Sequence, residues 1–270
     1  MISNTGDFKQ ILDRAARDVV FRISLVRESF YWFIYFYFPE YLNFEMANFQ
    51  KEIVNILEDD KIKNFILAAF RGSGKSTIVS MAYVLWSMMG RQKKRFIVLV
   101  SNTFKQSEII LYNIKDALEK NELLKADLGP FQEFSDEWKN FSLIFKNYDT
   151  KIYATSVNES IRGIRYKNIR PQLIICDDVE TLETIRSNEG KDKLLTWFDR
   201  DIVPLGDEGT RIIVLGTILA TGALLSTLSE RVENGSLSGV FRRYPIVNDN
   251  KDILWSSRWP SLESIESFRK

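Results

Sequence analysis

The stretch Ala69–Thr77 reads Ala-Phe-Arg-Gly-Ser-Gly-Lys-Ser-Thr and closes an apolar run that begins at Phe65. The general pattern of a phosphate-binding loop is G-x-x-x-x-G-K-[ST]. Gly74, Lys75 and Ser76 match this pattern, whereas Ala69 occupies the position of its first glycine. Because an apolar run precedes the loop and a helical pattern follows it, we predict a strand, a phosphate loop and a helix in that order.

The chemistry of this loop does not depend on a glycine at position 69. Successive backbone N–H groups and the N-terminus of the following helix form a cradle for anions. Gly72 and Gly74 let the backbone approach a phosphate closely, and Lys75 can reach the β- and γ-phosphates. The Ser76 hydroxyl is the expected Mg²⁺ ligand. We therefore expect ATP and Mg²⁺ as ligands, with nucleotide contacts from six residues: Gly72, Ser73, Gly74, Lys75, Ser76 and Thr77.

A second apolar run, Leu173–Cys176, ends in the acids Asp177 and Asp178, and Glu180 follows two positions later. A buried strand that ends in a carboxylate is how P-loop NTPases complete the Mg²⁺ site. Asp177 is the expected acid on the metal side. Either Asp178 or Glu180 is expected to orient or deprotonate the attacking water, and the sequence leaves that choice open.

Composition excludes several kinds of chemistry. The 270 residues include no histidine, so catalysis by histidine and metal sites with histidine ligands are excluded. A single cysteine, Cys176, allows no intrachain disulfide and fits a reducing compartment. The formal net charge is only +1, so any contact with nucleic acid must depend on locally placed Lys and Arg. The aromatic run Phe30–Phe38 is too short to cross a membrane, and we interpret it as a buried helix end.

Apolar runs alternate with helical patterns along most of the chain. We predict strands at 64–69, 95–100, 141–145, 151–155, 173–176 and 211–215, with helices over 8–30, 46–57, 75–89, 103–120, 191–201 and 224–233. Gly90 is expected to end its helix in a left-handed conformation. Such alternation predicts an α/β fold with a mostly parallel central sheet that is covered by helices on both faces.

Four further features surround these two motifs. Arg71 lies inside the phosphate loop, and Gln50 precedes it where a side chain could contact an adenine edge. The pair Arg162-Gly163 precedes the second apolar run, and Gly216-Thr217 ends the strand after it. In order and spacing, residues 50–220 resemble the ATPase domain of the large terminase subunit of tailed bacteriophages, a P-loop NTPase of the ASCE type.

The resemblance implies a role for each of these residues. Gln50 would bind adenine, Arg71 would contact phosphate, and Thr217 would couple hydrolysis to movement. Arg162 would be an arginine finger that acts on a neighbouring subunit, although Arg165 is a rival for that role. The family usually has Asp-Glu where this chain has Asp177-Asp178, which leaves Asp178 and Glu180 as alternative catalytic acids.

The resemblance also implies partners and a division of the chain. We expect double-stranded DNA, a homo-oligomeric ring (a pentamer in the family), a portal protein and a small terminase subunit as partners, in the cytoplasm of an infected bacterium. Residues 1–60 would be a helical N-terminal segment, 61–247 the ATPase core, and 248–270 a lid or linker toward a nuclease domain absent from this chain, so no DNA cleavage is expected. The alternatives are a helicase or translocase of another P-loop family and an ATP-dependent assembly switch with little turnover.

Overall fold

The computed structural model describes residues 5–132, 138–217 and 220–269. Within them, one sheet contains the strands β1 (Asn64–Ala69), β2 (Phe96–Ser101), β3 (Trp138–Lys139), β4 (Ser142–Phe145), β5 (Thr150–Ser156), β6 (Leu173–Asp177), β7 (Arg211–Gly216) and β8 (Val240–Tyr244). Their order is β3-β4-β5-β2-β6-β7-β1-β8. Strand β4 runs antiparallel to both of its neighbours, and every other pairing in the sheet is parallel.

The helices of the described residues are α1 (Thr5–Arg17), α2 (Val19–Glu28), α3 (Phe30–Tyr37), α4 (Asn48–Glu58), α5 (Val84–Met89), α6 (Phe104–Lys120), α7 (Glu122–Leu128), α8 (Asn188–Trp197), α9 (Leu224–Glu233) and α10 (Leu262–Arg269). Two wider π-helical segments occur at Thr77–Tyr83 and Phe198–Ile202. Short 3₁₀ turns occur at Pro39–Leu42 and Val203–Leu205. Among the described residues, no helix combines the length and apolar character that crossing a membrane requires.

The position of β7 organises the functional edge of the sheet. Strand β7 lies between β1, which leads into the phosphate loop, and β6, which ends in Asp177. Because the three strands are parallel, their carboxyl ends meet at one edge, where α/β proteins bind ligands. The position of β7 between β1 and β6, together with the mostly parallel sheet, confirms the predicted P-loop NTPase fold of the ASCE type.

Helices cover both faces of the sheet, as predicted. One hydrophobic cluster joins a face of the sheet to α3, α4 and the helix after the phosphate loop, with Phe33, Ile53 and Trp86 fully buried. The other cluster packs α8 and α9 on the opposite face, with Val98 and Leu228 fully buried. Buried central strands consist of continuous apolar runs, which is why their positions are readable from sequence.

The N-terminal region departs from the single helix predicted over 8–30. Asp18 interrupts it, because its carboxylate accepts a hydrogen bond from the Phe21 N–H at 2.9 Å and so caps the start of α2. The aromatic run forms the separate helix α3, in which Phe30 and Phe33 are fully buried. The prediction that this run is buried is therefore confirmed.

The prediction of a left-handed Gly90 is wrong. Its φ is −86°, an ordinary value for any residue. A Cβ at this position would lie 2.7 Å from Trp86 Nε1 and 2.9 Å from the carbonyl oxygen of Arg27. Close packing of the helix end against α2 therefore explains the glycine.

The last part of the chain packs into the hydrophobic cluster that contains α3 and α4. Trp255, Trp259 and Ile265 are nearly fully buried in the cluster that also holds β1 and α4. The sequence did not predict β8, α7 or α10. The division into segments 1–60, 61–247 and 248–270 stays a prediction.

Candidate functional site

The phosphate loop has the backbone that its glycines make possible. Gly72 and Gly74 have φ angles of 82° and 83°, which a residue with a Cβ adopts only at a cost. The loop returns to helical geometry where the Ile78 N–H donates to the Gly74 carbonyl oxygen at 2.9 Å. Lys75, the first helical residue, is 7% exposed, and its ammonium group lines a cleft beside the loop.

Gln50 holds the loop from the side of α4. Its Oε1 accepts from the Ala47 N–H at 3.0 Å, and its Nε2 donates to the Ser73 carbonyl oxygen at 2.8 Å. In a trans peptide the C=O and the next N–H point in opposite directions, so this bond directs the Gly74 N–H away from Gln50. Gln50 is 4% exposed and is therefore a buried residue of α4.

Ser76 and Asp177 meet at the expected metal side. The Ser76 hydroxyl donates to Asp177 Oδ1 at 3.1 Å, and the Ser80 hydroxyl donates to Oδ2 at 2.6 Å. Burial raises the pKa of Asp177 to about 6, and repulsion by Asp178 adds to this, whereas the two serine hydrogen bonds and Lys75 oppose it. A hydroxyl and a carboxylate side by side are oxygen ligands of the kind that Mg²⁺ prefers, so the residues present fit that ion.

Asp178 stands directly over Lys75. Its Oδ2 lies 3.6 Å from Lys75 Nζ, and about half of its side chain is exposed to the cleft. Its backbone has a φ of 47°, in a region that residues other than glycine rarely occupy and that clusters at functional sites. Gly216 makes room for it, because a Cβ there would lie 3.2 Å from Asp178 Oδ1.

Glu180 lies in a different environment from Asp178. It is 9% exposed, and its two carboxylate oxygens accept hydrogen bonds from the N–H groups of Leu224 and Leu225. A carboxylate at this position satisfies the first N–H groups of α9 and complements the helix dipole. Burial raises the pKa of Glu180, and the two backbone hydrogen bonds oppose that shift. The geometry therefore gives Glu180 a capping role.

An open cleft, which we call the phosphate cleft, joins these groups. Its lining includes Arg71, Lys75, Asp178, Glu180 and Thr217. Arg71 is exposed in the cleft. The Thr217 hydroxyl donates to the carbonyl oxygen of Ala69 at 3.2 Å and so connects the end of β7 to the start of the loop.

The two arginine-finger candidates lie elsewhere, in a separate cavity. Arg162 and Arg165 line this cavity together with Arg170 and Arg200, and none of its lining residues also lines the phosphate cleft. Arg162 Nε donates to Asp201 Oδ1 at 2.5 Å, while 71% of the arginine side chain stays exposed. Both candidates are exposed, and neither is among the residues that line the phosphate cleft of its own subunit.

Two residues of this region were not found by sequence reasoning. Ser80 lies one helical turn after Ser76 and donates a hydrogen bond to Asp177. No sequence motif predicts this contact. Arg258 donates from Nη1 to the Gly72 carbonyl oxygen at 2.9 Å from a segment 186 positions away. Only the fold brings such a residue to the loop.

Comparison with known proteins gives both sequence and structural relatives. No family model matches the sequence. The large terminase subunit of Enterobacteria phage T3 is 25% identical over 185 residues, which cover 62% of this chain and 28% of that protein.

Among solved structures, the large terminase of bacteriophage HK97 has a TM-score of 0.54 and 17% identity, over 84% of this chain and 48% of that one. A mutant ATPase domain of the Thermus phage P74-26 large terminase also has a TM-score of 0.54, with 14% identity, over 86% of this chain and 90% of that one. At these identities the two structures establish the fold.

The chain spans about a quarter of the T3 protein and about half of the HK97 protein. The structural match to the isolated P74-26 domain covers 90% of that domain. The chain is therefore similar in sequence to the large terminase subunit of phage T3, and in fold to the large terminase of HK97 and to the ATPase domain of the P74-26 large terminase.

Proposed function

We propose that this chain is the ATP-hydrolysing motor domain of a viral large terminase and that it powers the movement of double-stranded DNA into a procapsid. The observation that carries this proposal is the meeting of Lys75, Ser76, Asp177 and Asp178 at one edge of the sheet. This set has the groups that phosphoanhydride hydrolysis requires, namely a cation for phosphate, ligands for Mg²⁺ and an acid beside the phosphate site.

The loop residues bind the triphosphate. Lys75 and the N–H groups of residues 72–77 neutralise and orient phosphate oxygens, and Arg71 adds a second cation from the mouth of the cleft. Ser76 and Asp177 hold Mg²⁺, which when bound neutralises charge on the β- and γ-phosphates. Gln50 has one amide N–H and one oxygen lone pair left after its two internal hydrogen bonds, and this pair of groups can contact an adenine edge.

Asp178 is the acid that positions the attacking water. Its carboxylate is half exposed beside Lys75, whereas both oxygens of Glu180 are engaged by the N-terminus of α9. A shorter acid can serve because its carboxylate lies 3.6 Å from Lys75 Nζ, beside the phosphate site. Glu180 then fixes α9 against the strand end without taking part in the chemistry.

The working form is a ring in which one subunit completes the site of the next. Arg162 would stabilise negative charge on the nucleotide of a neighbour, an effect that is worth about 10³–10⁵ in rate in other NTPases. Mg²⁺ and ATP as ligands, a ring (a pentamer in the family), a portal protein, a small terminase subunit and the host cytoplasm follow from the resemblance. Thr217 would couple ATP hydrolysis to the movement of the bound DNA.

A turnover assay tests the proposal. ATP hydrolysis by the wild type is measured with and without double-stranded DNA over a range of protein concentrations, because a finger in trans makes the specific activity rise with assembly. Lys75→Ala should abolish turnover, and Lys120→Ala, at an exposed lysine paired with Asp116, should not.

Each failure has its own meaning. Negligible hydrolysis at every protein concentration, with or without DNA, would overturn the motor and favour an assembly switch. Stimulation by single-stranded nucleic acid alone would favour a helicase or translocase of another P-loop family.

A further inference from the structure

A cavity lies beside the phosphate loop, and Asp178 is not among the residues that line it. Its lining includes Gly74 and Thr77 of the phosphate loop, and also Phe44, Gln50, Trp255 and Arg258. Mostly apolar walls with a few polar groups are typical of small-molecule sites. Three segments far apart in sequence, within 34–50, 74–82 and 255–258, build this cavity.

The part of the cavity wall that Trp255 and Arg258 form belongs to a tightly packed segment of the chain. Trp255 and Trp259 are 5% and 4% exposed. The indole Nε1 of Trp255 donates to the Glu45 carbonyl oxygen at 2.9 Å. The Trp259 ring meets the ring of Phe70, inside the phosphate loop, at 5.4 Å between centroids. This wall is therefore part of the loop's own packing.

Arg258 links this wall to the loop. Its guanidinium carbon lies 5.0 Å from the centroid of the Trp255 ring and 4.6 Å from that of Trp259. Its Nη1 donates to the Gly72 carbonyl oxygen at 2.9 Å. A guanidinium has five N–H donors and a flat face that stacks on aromatic rings. The guanidinium carbon also lies 5.9 Å from the centroid of Phe44, which lines the cavity, so one residue both anchors the phosphate loop and contributes a cation to the cavity wall.

We propose that Arg258 is a nucleotide-binding residue that forms the wall of a purine-base site facing Gln50. The base enters the cavity between the Gln50 amide and the guanidinium, and the hydrogen bond to Gly72 makes the shape of the phosphate loop depend on whether the base is present. The inference rests on the proposed function only in requiring that a nucleotide occupies the phosphate loop.

Binding of ADP and of pyrophosphate, both with Mg²⁺, separates the base site from the phosphate site. Arg258→Ala should weaken ADP binding by about tenfold, between the values for an exposed and a fully desolvated cation–π contact, and should weaken pyrophosphate binding less. Arg258→Lys keeps a cationic donor for Gly72 but lacks the flat face. It should therefore retain pyrophosphate affinity while it loses part of the preference for ADP. The matched control is Arg242→Ala, which removes an arginine of β8 that is paired with Glu52 of α4. This variant should bind both ligands as the wild type does.

The ratio of the ADP and pyrophosphate affinities is the decisive measurement, because a variant that merely loosens the loop weakens both ligands equally. An unchanged ratio in both Arg258 variants, with wild-type circular dichroism, would overturn the inference while leaving the proposed function intact. If Arg258→Ala does not fold, the ratio measured for Arg258→Lys alone tests the inference in the same way. A wild type that binds pyrophosphate but not ADP would also overturn it, and one that binds neither would overturn the proposed function as well.

Discussion

The Thr217 hydroxyl donates a hydrogen bond to the carbonyl oxygen of Ala69 across 3.2 Å. This bond joins the end of β7 to the first position of the phosphate loop, and Ala68 pairs with Gly216 directly before it. Ala69 itself is 3% exposed and continues β1 as an ordinary strand residue. The phosphate loop therefore does not need a glycine at its first position. The same hydrogen bond links the start of the loop directly to the end of β7.

Thr217→Val should uncouple hydrolysis from DNA. The substitution keeps the shape of the side chain but removes one hydrogen bond, so we expect a loss of about 1 kcal/mol in the free energy of unfolding. ADP affinity should change little, while DNA-stimulated turnover and DNA movement should fall. The matched variant Thr217→Ser keeps the hydroxyl and should retain both activities. Wild-type stimulation of Thr217→Val by DNA would contradict the coupling role.

Asp178→Asn should abolish turnover without abolishing binding. Removing a general base costs about 10²–10⁴ in rate, whereas the loop contacts to the nucleotide remain. We expect a fall in kcat of at least about 100-fold, with ADP affinity equal to or higher than that of the wild type because a negative charge beside the phosphates is lost. Single-turnover hydrolysis and ADP titration together check this. A variant that retained its kcat would return the choice to Glu180.

Glu180→Gln should lower stability more than it lowers kcat. Its carboxylate accepts from the N–H groups of Leu224 and Leu225, and the neutral amide has only one oxygen to offer them. Loss of a charged hydrogen bond at a helix N-terminus predicts a destabilisation of about 1–2 kcal/mol. Urea unfolding measures it, with the exposed Glu183→Gln as control. A Glu180→Gln protein of unchanged stability and abolished turnover would contradict the capping role.

The contrast between these two acids shows where sequence reasoning reached its limit. The apolar runs of β1, β6 and β7 predicted the strands, because buried parallel strands admit few polar residues. The acids after β6 were found for the same reason. Which acid faces the cleft depends on α9, which begins 44 positions after Glu180 and offers its N–H groups there.

Other misses have the same physical origin. Strand β8 carries the exposed residues Arg242 and Arg243 at the edge of the sheet, so it lacks the apolar pattern of the central strands. Arg258 reaches Gly72 only after the chain has folded back across the loop. Contacts between distant segments leave no local pattern that a single sequence can show.

Binding of Mg²⁺ with nucleotide should weaken as the pH falls below about 6. The pKa of Asp177 is raised to about 6, chiefly by burial, so its carboxyl group is increasingly protonated below that pH. A proton and Mg²⁺ compete for the same carboxylate. We expect the Mg²⁺-dependent part of ADP affinity to fall about tenfold per pH unit below about 6, and higher Mg²⁺ should move the midpoint to lower pH.

A variant at Ser80 isolates the contribution of Asp177 to that profile. The Ser80 hydroxyl donates to Asp177 Oδ2 at 2.6 Å and lowers the pKa of the carboxyl group. Ser80→Ala should therefore move the midpoint to higher pH, whereas the titration of the nucleotide itself is the same for both proteins. Coincident midpoints would show that the profile does not report Asp177.

Arg162→Ala subunits mixed with Lys75→Ala subunits should recover activity that neither variant has alone. Arg162 is 71% exposed in a cavity separate from the phosphate cleft, so its guanidinium is available to a neighbouring subunit. In a mixed ring, an intact phosphate loop on one subunit can face an intact Arg162 on the next. With random assembly at equal amounts, about a quarter of the interfaces have this arrangement, and turnover should approach about a quarter of the wild-type value.

The matched variant Arg165→Ala should be active alone, since Arg162 is intact in it. Mixtures that stay inactive under conditions in which the wild type assembles would contradict action in trans, and a loss confined to Arg165→Ala would transfer the role to that residue.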